Sequence, residues 1–296
     1  MRKMRKTEEI PMDFQYMMEQ IGLAQQGVDS FNAIHARCAD PAFVKRLEQN
    51  FAAYDQGLEV FSPDLEAFAE ELGIDVAVLN LYVYIRLSER TLEEFRKRGY
   101  PEAVFYDTMK DLTIDSRTYY EKCGIYGISP KPHRWWITYH LACQMFRFGR
   151  LQFNFKPAPF DFELDGRLIK EGEVGLNAHI SRYEPLSEDA CEESYVRAKE
   201  FAKKHLGMPD PFFFCNSWLI HPWMTEDLPE TSRIVQFQKK YKVLSIEQNE
   251  DVVINHVFDE KCEDPNDYPE DNSLRRAAKK RLIEGKPLGM ALGARL

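Results

Sequence analysis

Residues 174–202 read VGLNAHISRYEPLSEDACEESYVRAKEFA, and two periods meet inside them. From Val174 to Ser181 apolar and polar side chains alternate. Val174, Leu176, Ala178 and Ile180 share one face, Gly175, Asn177, His179 and Ser181 the other, the period of a half-buried strand. Beyond Ser187 the period lengthens. Cys191, Tyr195, Ala198 and Ala202, flanked by Ser194 and Phe201, form one helical stripe, and Gly207 marks its end. Ser187 is the expected N-cap, with Glu188 and Asp189 in the first turn where they complement the helix dipole. DPFFFCNSWLIHP (210–222) is apolar enough for a strand covered on both faces. Strand, helix and strand in this order predict a parallel, right-handed crossover.

Upstream, GRLQFNFKP (149–157) places Leu151, Phe153 and Phe155 on one face of a strand. FDFELDGRLIKEG (160–172) carries the two-residue hairpin signal Asp165-Gly166, so a three-stranded antiparallel meander is expected to lead into residues 174–181. Downstream, TSRIVQFQKKYKVL (231–244) is followed by DVVINHVF (251–258), read as a strand, and SLRRAAKKRLIEG (273–285), read as a helix. The terminal GKPLGMALG reads as a loosely ordered tail. Residues 149–296 are therefore expected to form a mixed sheet with flanking helices.

Residues 1–148 have a different pattern. PAFVKRLEQNFAAYDQG, SPDLEAFAEELGIDVAVLNLYVYIRLSERTLEEFRKRG and PEAVFYDTMKDLTIDSRTYYEKCG space apolar residues three and four apart, with Ser62 as an N-cap before Pro63. HRWWITYHLACQMFRFG is read as one more helix, ending at Gly149. The fold class is α+β, a helical domain over 1–148 followed by a mixed-sheet domain over 149–296.

Composition narrows the partners. The 296 residues, 44% hydrophobic and 29% charged, suit two globular domains, and a formal charge of -9 argues against nucleic acid or an anionic membrane. No stretch reaches the roughly 18 apolar residues of a membrane span, and the basic start MRKMRKTEEIPM lacks the apolar run of a signal peptide. A cytoplasmic location is expected. The six cysteines show no CxxC spacing, which predicts reduced thiols and no metal site. Phosphate-loop, GxSxG, HExxH and GxGxxG signatures are all missing.

The order of elements in the second half resembles the Gcn5-related N-acetyltransferase (GNAT) fold. More specifically, GRLQF, HI-x(4)-PLS, CNSWLIHP, LPETSRIVQFQKKY and NSLRRA are similar to a family of bacterial two-domain acyltransferases, with a helical N-terminal domain and a GNAT-like C-terminal domain. The resemblance spans nearly the whole chain. It implies acyl-CoA as co-substrate, its pantetheine along VGLNAHIS and its pyrophosphate on the amides that open the helix at Ser187. Ile180, Arg182, Ser187 and Asn216 are then the cofactor-binding candidates. The family's glycine-rich phosphate loop is replaced by SRYEPLSED, where Glu184, Glu188 and Asp189 repel a pyrophosphate and Arg182 opposes them. At the position where GNAT enzymes often carry a proton-donating Tyr stands Phe237, with Tyr241 or Cys215 as substitutes.

His179, on the polar strand face, is the first candidate for proton abstraction from an amine, because an imidazole titrates near neutrality. Asn177 shares its face. Ser217, at the end of the parallel strand, is the third catalytic candidate, either as a substrate contact or, with Cys215, as a nucleophile served by His179 or His221. A small-molecule thioester donor and an amine acceptor are the expected partners. Two function classes follow: an acyl-CoA-dependent N-acyltransferase, and a GNAT-shaped binding or scaffold module that has lost the reaction.

Overall fold

The computed structural model describes residues 12–55, 63–130 and 134–296. The chain divides into two compact units, Met1–Arg147 and Phe148–Leu296. The first contains seven helices among the described residues: α1 (Phe14–Gln20), α2 (Gln25–His35), α3 (Pro41–Asp55), α4 (Pro63–Leu72), α5 (Val76–Arg98), α6 (Glu102–Cys123) and α7 (Arg134–Leu141). Ser62, the expected cap of α4, lies outside the described residues.

α5 is the axis of this unit. Leu79 through Ile85 are all buried, so apolar side chains surround the helix rather than line one face. Asp75 caps it, accepting the Ala77 N–H at 2.7 Å, and Gly99 closes it in the left-handed conformation at φ 67°. Arg96, Lys97 and Arg98 fill its last turn, where positive charge meets the carboxyl end of the dipole.

The main sheet runs β1 (Met145–Phe148), β2 (Leu151–Pro157), β5 (Val174–Ile180), β6 (Phe213–Ser217), β8 (Gly289–Arg295) and β7 (Lys242–Gln248) in spatial order, and all its strands but β1 lie wholly in the second unit. β3 (Phe162–Leu164) and β4 (Arg167–Ile169) pair only with each other. Their turn is the expected one, with Asp165 at φ 48° and Gly166 at φ 81°. The hairpin nevertheless stands outside the main sheet, and β2 pairs directly with β5, Leu151 opposite Ile180 through Pro157 opposite Val174. No strand stands between β2 and β5 where the hairpin was expected, and β1, before the Gly149-Arg150 turn, lies on the other side of β2.

Three further readings are corrected. Met145–Phe148 is a strand rather than the end of a helix, because α7 stops at Leu141 and Cys143 turns the chain at φ 56°. Glu250–Val257 is a helix, α11: Asn249 caps it through the Val252 N–H at 3.2 Å, and Glu250 and Asp251 suit its first turn. The glycine-spaced C-terminus is β8, an interior strand between β6 and β7. Gly293 is required there, since a Cβ would come within 2.8 Å of Ile220 Cγ2 and 2.9 Å of Tyr241 Cβ.

α8 (Glu188–His205) joins β5 to β6, which pair in parallel as expected. Its buried residues are Cys191, Ser194, Tyr195, Ala198, Phe201 and Ala202, the stripe read from the sequence. α9 (Trp223–Asp227), α10 (Arg233–Gln238), α11 and α12 (Ser273–Glu284) complete the unit. Trp223, Met224, Val253, Ile254, Ala278 and Leu288 are the centre of the core they share.

Candidate active site

The parallel pair β5–β6 is short. Only Leu176 opposite Phe213 and Asn177 opposite Phe214 are in register, yet β5 continues with β2 to Ile180 and β6 continues with β8 to Ser217. The two strands therefore part beyond Asn177. The Leu176 N–H donates to the Phe212 carbonyl at 3.0 Å and the Asn177–Phe214 pairing takes up the Ala178 N–H, so by alternation the Ala178 carbonyl and the main-chain groups of Ile180 face the same side, into the gap. The next rung of a parallel ladder would take the Asn216 N–H to the Ala178 carbonyl. Instead it donates to Asn177 Oδ1 at 3.2 Å. A side chain thus closes the apex of the gap and leaves the strand edge beyond it.

His179 stands beside this apex, half-buried. Its Nε2 lies 2.7 Å from Asn154 Oδ1, which also accepts from Asn177 Nδ2 at 3.2 Å. Asn177 is buried, Asn154 is half-buried, and Asn216 is exposed. Three predicted residues, Asn177, His179 and Asn216, are thus brought together. Asn154, opposite Asn177 in the β2–β5 register, joins them and was missed. It lay on the polar face of a recognised strand, but its pairing with Asn177 follows only from the register.

Ser217 ends β6 and its Oγ accepts the Leu219 N–H at 3.2 Å, capping the 3-10 turn Trp218–Ile220. Cys215 is fully buried, and burial pushes its thiol far above the ordinary range, the reverse of what a thiolate nucleophile requires. His221 is buried and uses Nδ1 to accept the Trp223 N–H at 3.2 Å; burial, then the Arg281 charge, lowers its pKa. Tyr241, the candidate proton donor, is buried with its hydroxyl against that of Tyr195. Burial holds both phenols well above their usual pKa, so both remain protonated at neutral pH.

The junction between β5 and α8 is a turn without glycine, in which Tyr183 takes the left-handed conformation at φ 73°. The buried Arg150 holds it, donating from Nε to the Pro185 carbonyl at 3.1 Å. Arg182 donates from Nη2 to Asp259 Oδ1 at 2.9 Å. Ser187 occupies the N-cap position with extended backbone, but its side chain makes no capping hydrogen bond, so the hydroxyl does not fill the helix end.

Beside that helix end lies a cavity of about 200 Å³. Ser187, Glu188 and Cys191 of α8 line it with Arg233 and Lys240 from α10 and the residues after it, and Arg295 of β8. The three cations change the electrostatics read from SRYEPLSED. Lys240 Nζ lies 2.5 Å from Glu188 Oε1, and Arg295 forks onto Glu192 with both contacts at 2.8 Å. The Arg295 bonds hold Glu192 below the usual carboxylate pKa, and Glu188 raises that of Lys240. Burial pushes the Cys191 thiol up to about 11, so it stays neutral there. These cations escaped sequence reading because they come from segments more than 40 residues past the junction in a chain with no phosphate-loop signature to align them.

A mixed sheet whose central parallel strands diverge next to a helix N-terminus defines a GNAT-like domain, and residues 145–295 match the GNAT-like C-terminal domain family. Residues 12–143 match the N-acyltransferase N-terminal domain, so the chain belongs to the two-domain family that joins them. Among solved structures it is similar to an acyltransferase in complex with decanoyl-CoA and teicoplanin, at 22% identity and TM-score 0.73 over 99% of this chain and 89% of that one. A mutant acyltransferase with octanoyl-CoA aligns at 21% identity and TM-score 0.72, again over 99% and 89%. An acyltransferase with CoA and 10C-teicoplanin aligns at 21% identity and TM-score 0.64 over 96% and 99%. At these identities the likeness concerns the fold. No curated protein matches the sequence. No helix among the described residues is long and apolar enough to cross a membrane, and no cluster of three or more His, Cys, Asp or Glu among them could hold a metal ion.

Proposed function

We propose that this chain is an acyl-CoA-dependent N-acyltransferase whose donor lies in the gap between β5 and β6. The observation that carries the reading is the strand divergence at Asn177, with the Ala178 carbonyl and the main-chain groups of Ile180 facing the gap and an imidazole at its apex. The pantetheine arm has the amides to pair with that strand edge, at Ile180 above all. Its pyrophosphate goes to the helix amides after Ser187, where Arg233, Lys240 and Arg295 outnumber Glu188 and Glu192. Arg182 exchanges its exposed Asp259 partner for phosphate. Asn216 and Ser217 form the opposite wall at the thioester. That a solved acyltransferase of similar fold holds decanoyl-CoA together with teicoplanin supports a thioester donor beside a second substrate.

The reaction follows from the groups present. His179 takes a proton from the acceptor ammonium and the free amine attacks the thioester carbonyl; as the C–S bond of the tetrahedral adduct breaks, the remaining extra proton on nitrogen passes, directly or through water, to the departing CoA thiolate, leaving amide and CoA thiol. The Asn154 and Asn177 amides that contact the ring are neutral. Ser217 acts as a contact, its hydroxyl already engaged with a main-chain amide, and no acyl-enzyme is needed.

Calorimetric titration with acetyl-CoA and decanoyl-CoA, together with thiol release in the presence of a primary amine, tests the proposal. Micromolar binding is expected. His179→Ala should keep that affinity and lose about 10²- to 10⁴-fold in turnover. Absence of binding by either thioester would end the CoA-dependent reading and leave the binding module.

A further inference from the structure

The hydrogen-bond chain at the apex of the gap has a polarity, and one end of it is beyond ambiguity. A main-chain N–H can only donate. Since the Asn216 N–H meets Asn177 at 3.2 Å, the Asn177 atom there is its oxygen, and its amide nitrogen points the other way, toward Asn154 and His179. That nitrogen also only donates, so the Asn154 atom 3.2 Å from it is an oxygen. The Asn154 amide nitrogen, on the far side, donates to the Phe155 carbonyl at 3.3 Å, which agrees. His179 Nε2 sits 2.7 Å from that same oxygen and must carry a proton. The 3.0 Å approach of Asn177 Nδ2 to His179 Nε2 is then that of two donors converging on one acceptor.

We infer that Asn154 is a positioning residue that locks His179 in its Nε2–H tautomer and so makes Nδ1 the basic nitrogen. This rests on the reading of His179 as the base. Nδ1 takes the acceptor's proton, directly or through one water, while Asn154 Oδ1 holds the opposite side of the ring and receives a stronger, charge-assisted bond once the ring is cationic. The chain of orientation runs from the main chain of β6 through β5 to β2. The same Asn177 amide that closes the apex of the gap thereby sets the protonation pattern of the group beside it. Asn177 is buried and has its oxygen on the Asn216 amide, so its orientation is fixed before any ligand arrives.

The experiment reads the tautomer and the turnover separately, on the full chain. Nitrogen-15 chemical shifts of the His179 imidazole, recorded above its titration, should show a protonated Nε2 and an unprotonated Nδ1 in the wild type. In Asn154→Leu the two tautomers should mix, and turnover should fall about 10- to 100-fold with KM for acyl-CoA unchanged. Asn154→Asp, which keeps an acceptor at the same place, should restore the Nε2–H tautomer. A wild-type ring protonated at Nδ1, or a folded Asn154→Leu with the wild-type tautomer, overturns the inference. Equal turnover by His179→Ala and wild type would overturn His179 as base, whatever the tautomer, and would separate that failure from failure of the Asn154 lock.

Discussion

Two histidine-containing networks in this chain are made of opposite materials. On the sheet, His179 is held by Asn154 and Asn177, neutral amides anchored to a main-chain N–H, and the ring is half-buried. In the helical unit, His140 is almost fully buried beside Asp111, with Nε2 at 3.2 Å from Oδ2, while Arg147 Nη2 lies 2.9 Å from Oδ1 and Trp136 Nε1 donates to Oδ2 at 2.6 Å. His140 Nδ1 donates to the Trp136 carbonyl at 2.9 Å, which completes the ring's satisfaction. Amides hold a ring without fixing its charge. A buried carboxylate with three cationic or donating partners fixes everything around it, at a high cost if any member is removed. The first arrangement suits a proton that must come and go, the second suits a fold.

The largest effect expected from breaking this contrast is at Asp111. Asp111→Ala strands the buried Arg147 guanidinium and the His140 ring, and should cost about 3–5 kcal/mol in chemical denaturation. His179→Ala, at a half-buried position in contact with neutral amides, should change stability by under about 1 kcal/mol despite its large effect on turnover. Equal destabilisation by the two substitutions would erase the distinction.

Asp115, one turn from Asp111, sharpens it with a pH dependence. Burial first, and then the Asp111 charge, raise its pKa from 3.8 to about 8, and its Oδ2 is buried without a hydrogen-bond partner. The folded state therefore holds a proton that the unfolded chain has released. This contribution is fully present below about pH 4, declines as pH rises, and is gone above about pH 8. Asp115→Asn should flatten that decline and add roughly 2 kcal/mol at the alkaline end of a denaturation series. A decline as steep in Asp115→Asn as in wild type would assign it to another group.

The periodicities that reported the fold were those carried by single strands and helices: the stripe of α8, the hairpin at Asp165-Gly166, the alternation of β5. What they misjudged shares one cause. β8 is rich in glycine because its neighbours crowd it, and α11 carries β-branched residues because they pack in a core, so tertiary contacts overrode local propensity in both. The candidate site divides in the same way. Asn177 and His179 were legible as two polar positions on one strand face, whereas Asn154, Arg233, Lys240 and Arg295 reach it through strand register and helix packing. Arg182 was legible too, and the structure pairs it with Asp259, 77 residues on.

Smaller effects should separate the cations at the α8 end from the apex of the gap. Lys240→Ala should weaken acyl-CoA about tenfold while leaving acyl-pantetheine, which has no pyrophosphate, unaffected. Arg182→Ala should do the same more weakly, and change stability by less than about 1 kcal/mol because its ion pair is exposed. Equal losses for acyl-CoA and acyl-pantetheine would place the phosphates elsewhere.

The central claim, that the diverging edge of β5 receives the thioester's pantetheine arm, is tested most directly by amide hydrogen exchange at Ile180 with and without a saturating acyl-CoA. The account predicts strong protection of Ile180 on binding, with His179, whose amide faces β2, little changed. Binding without any added protection at Ile180 would contradict it.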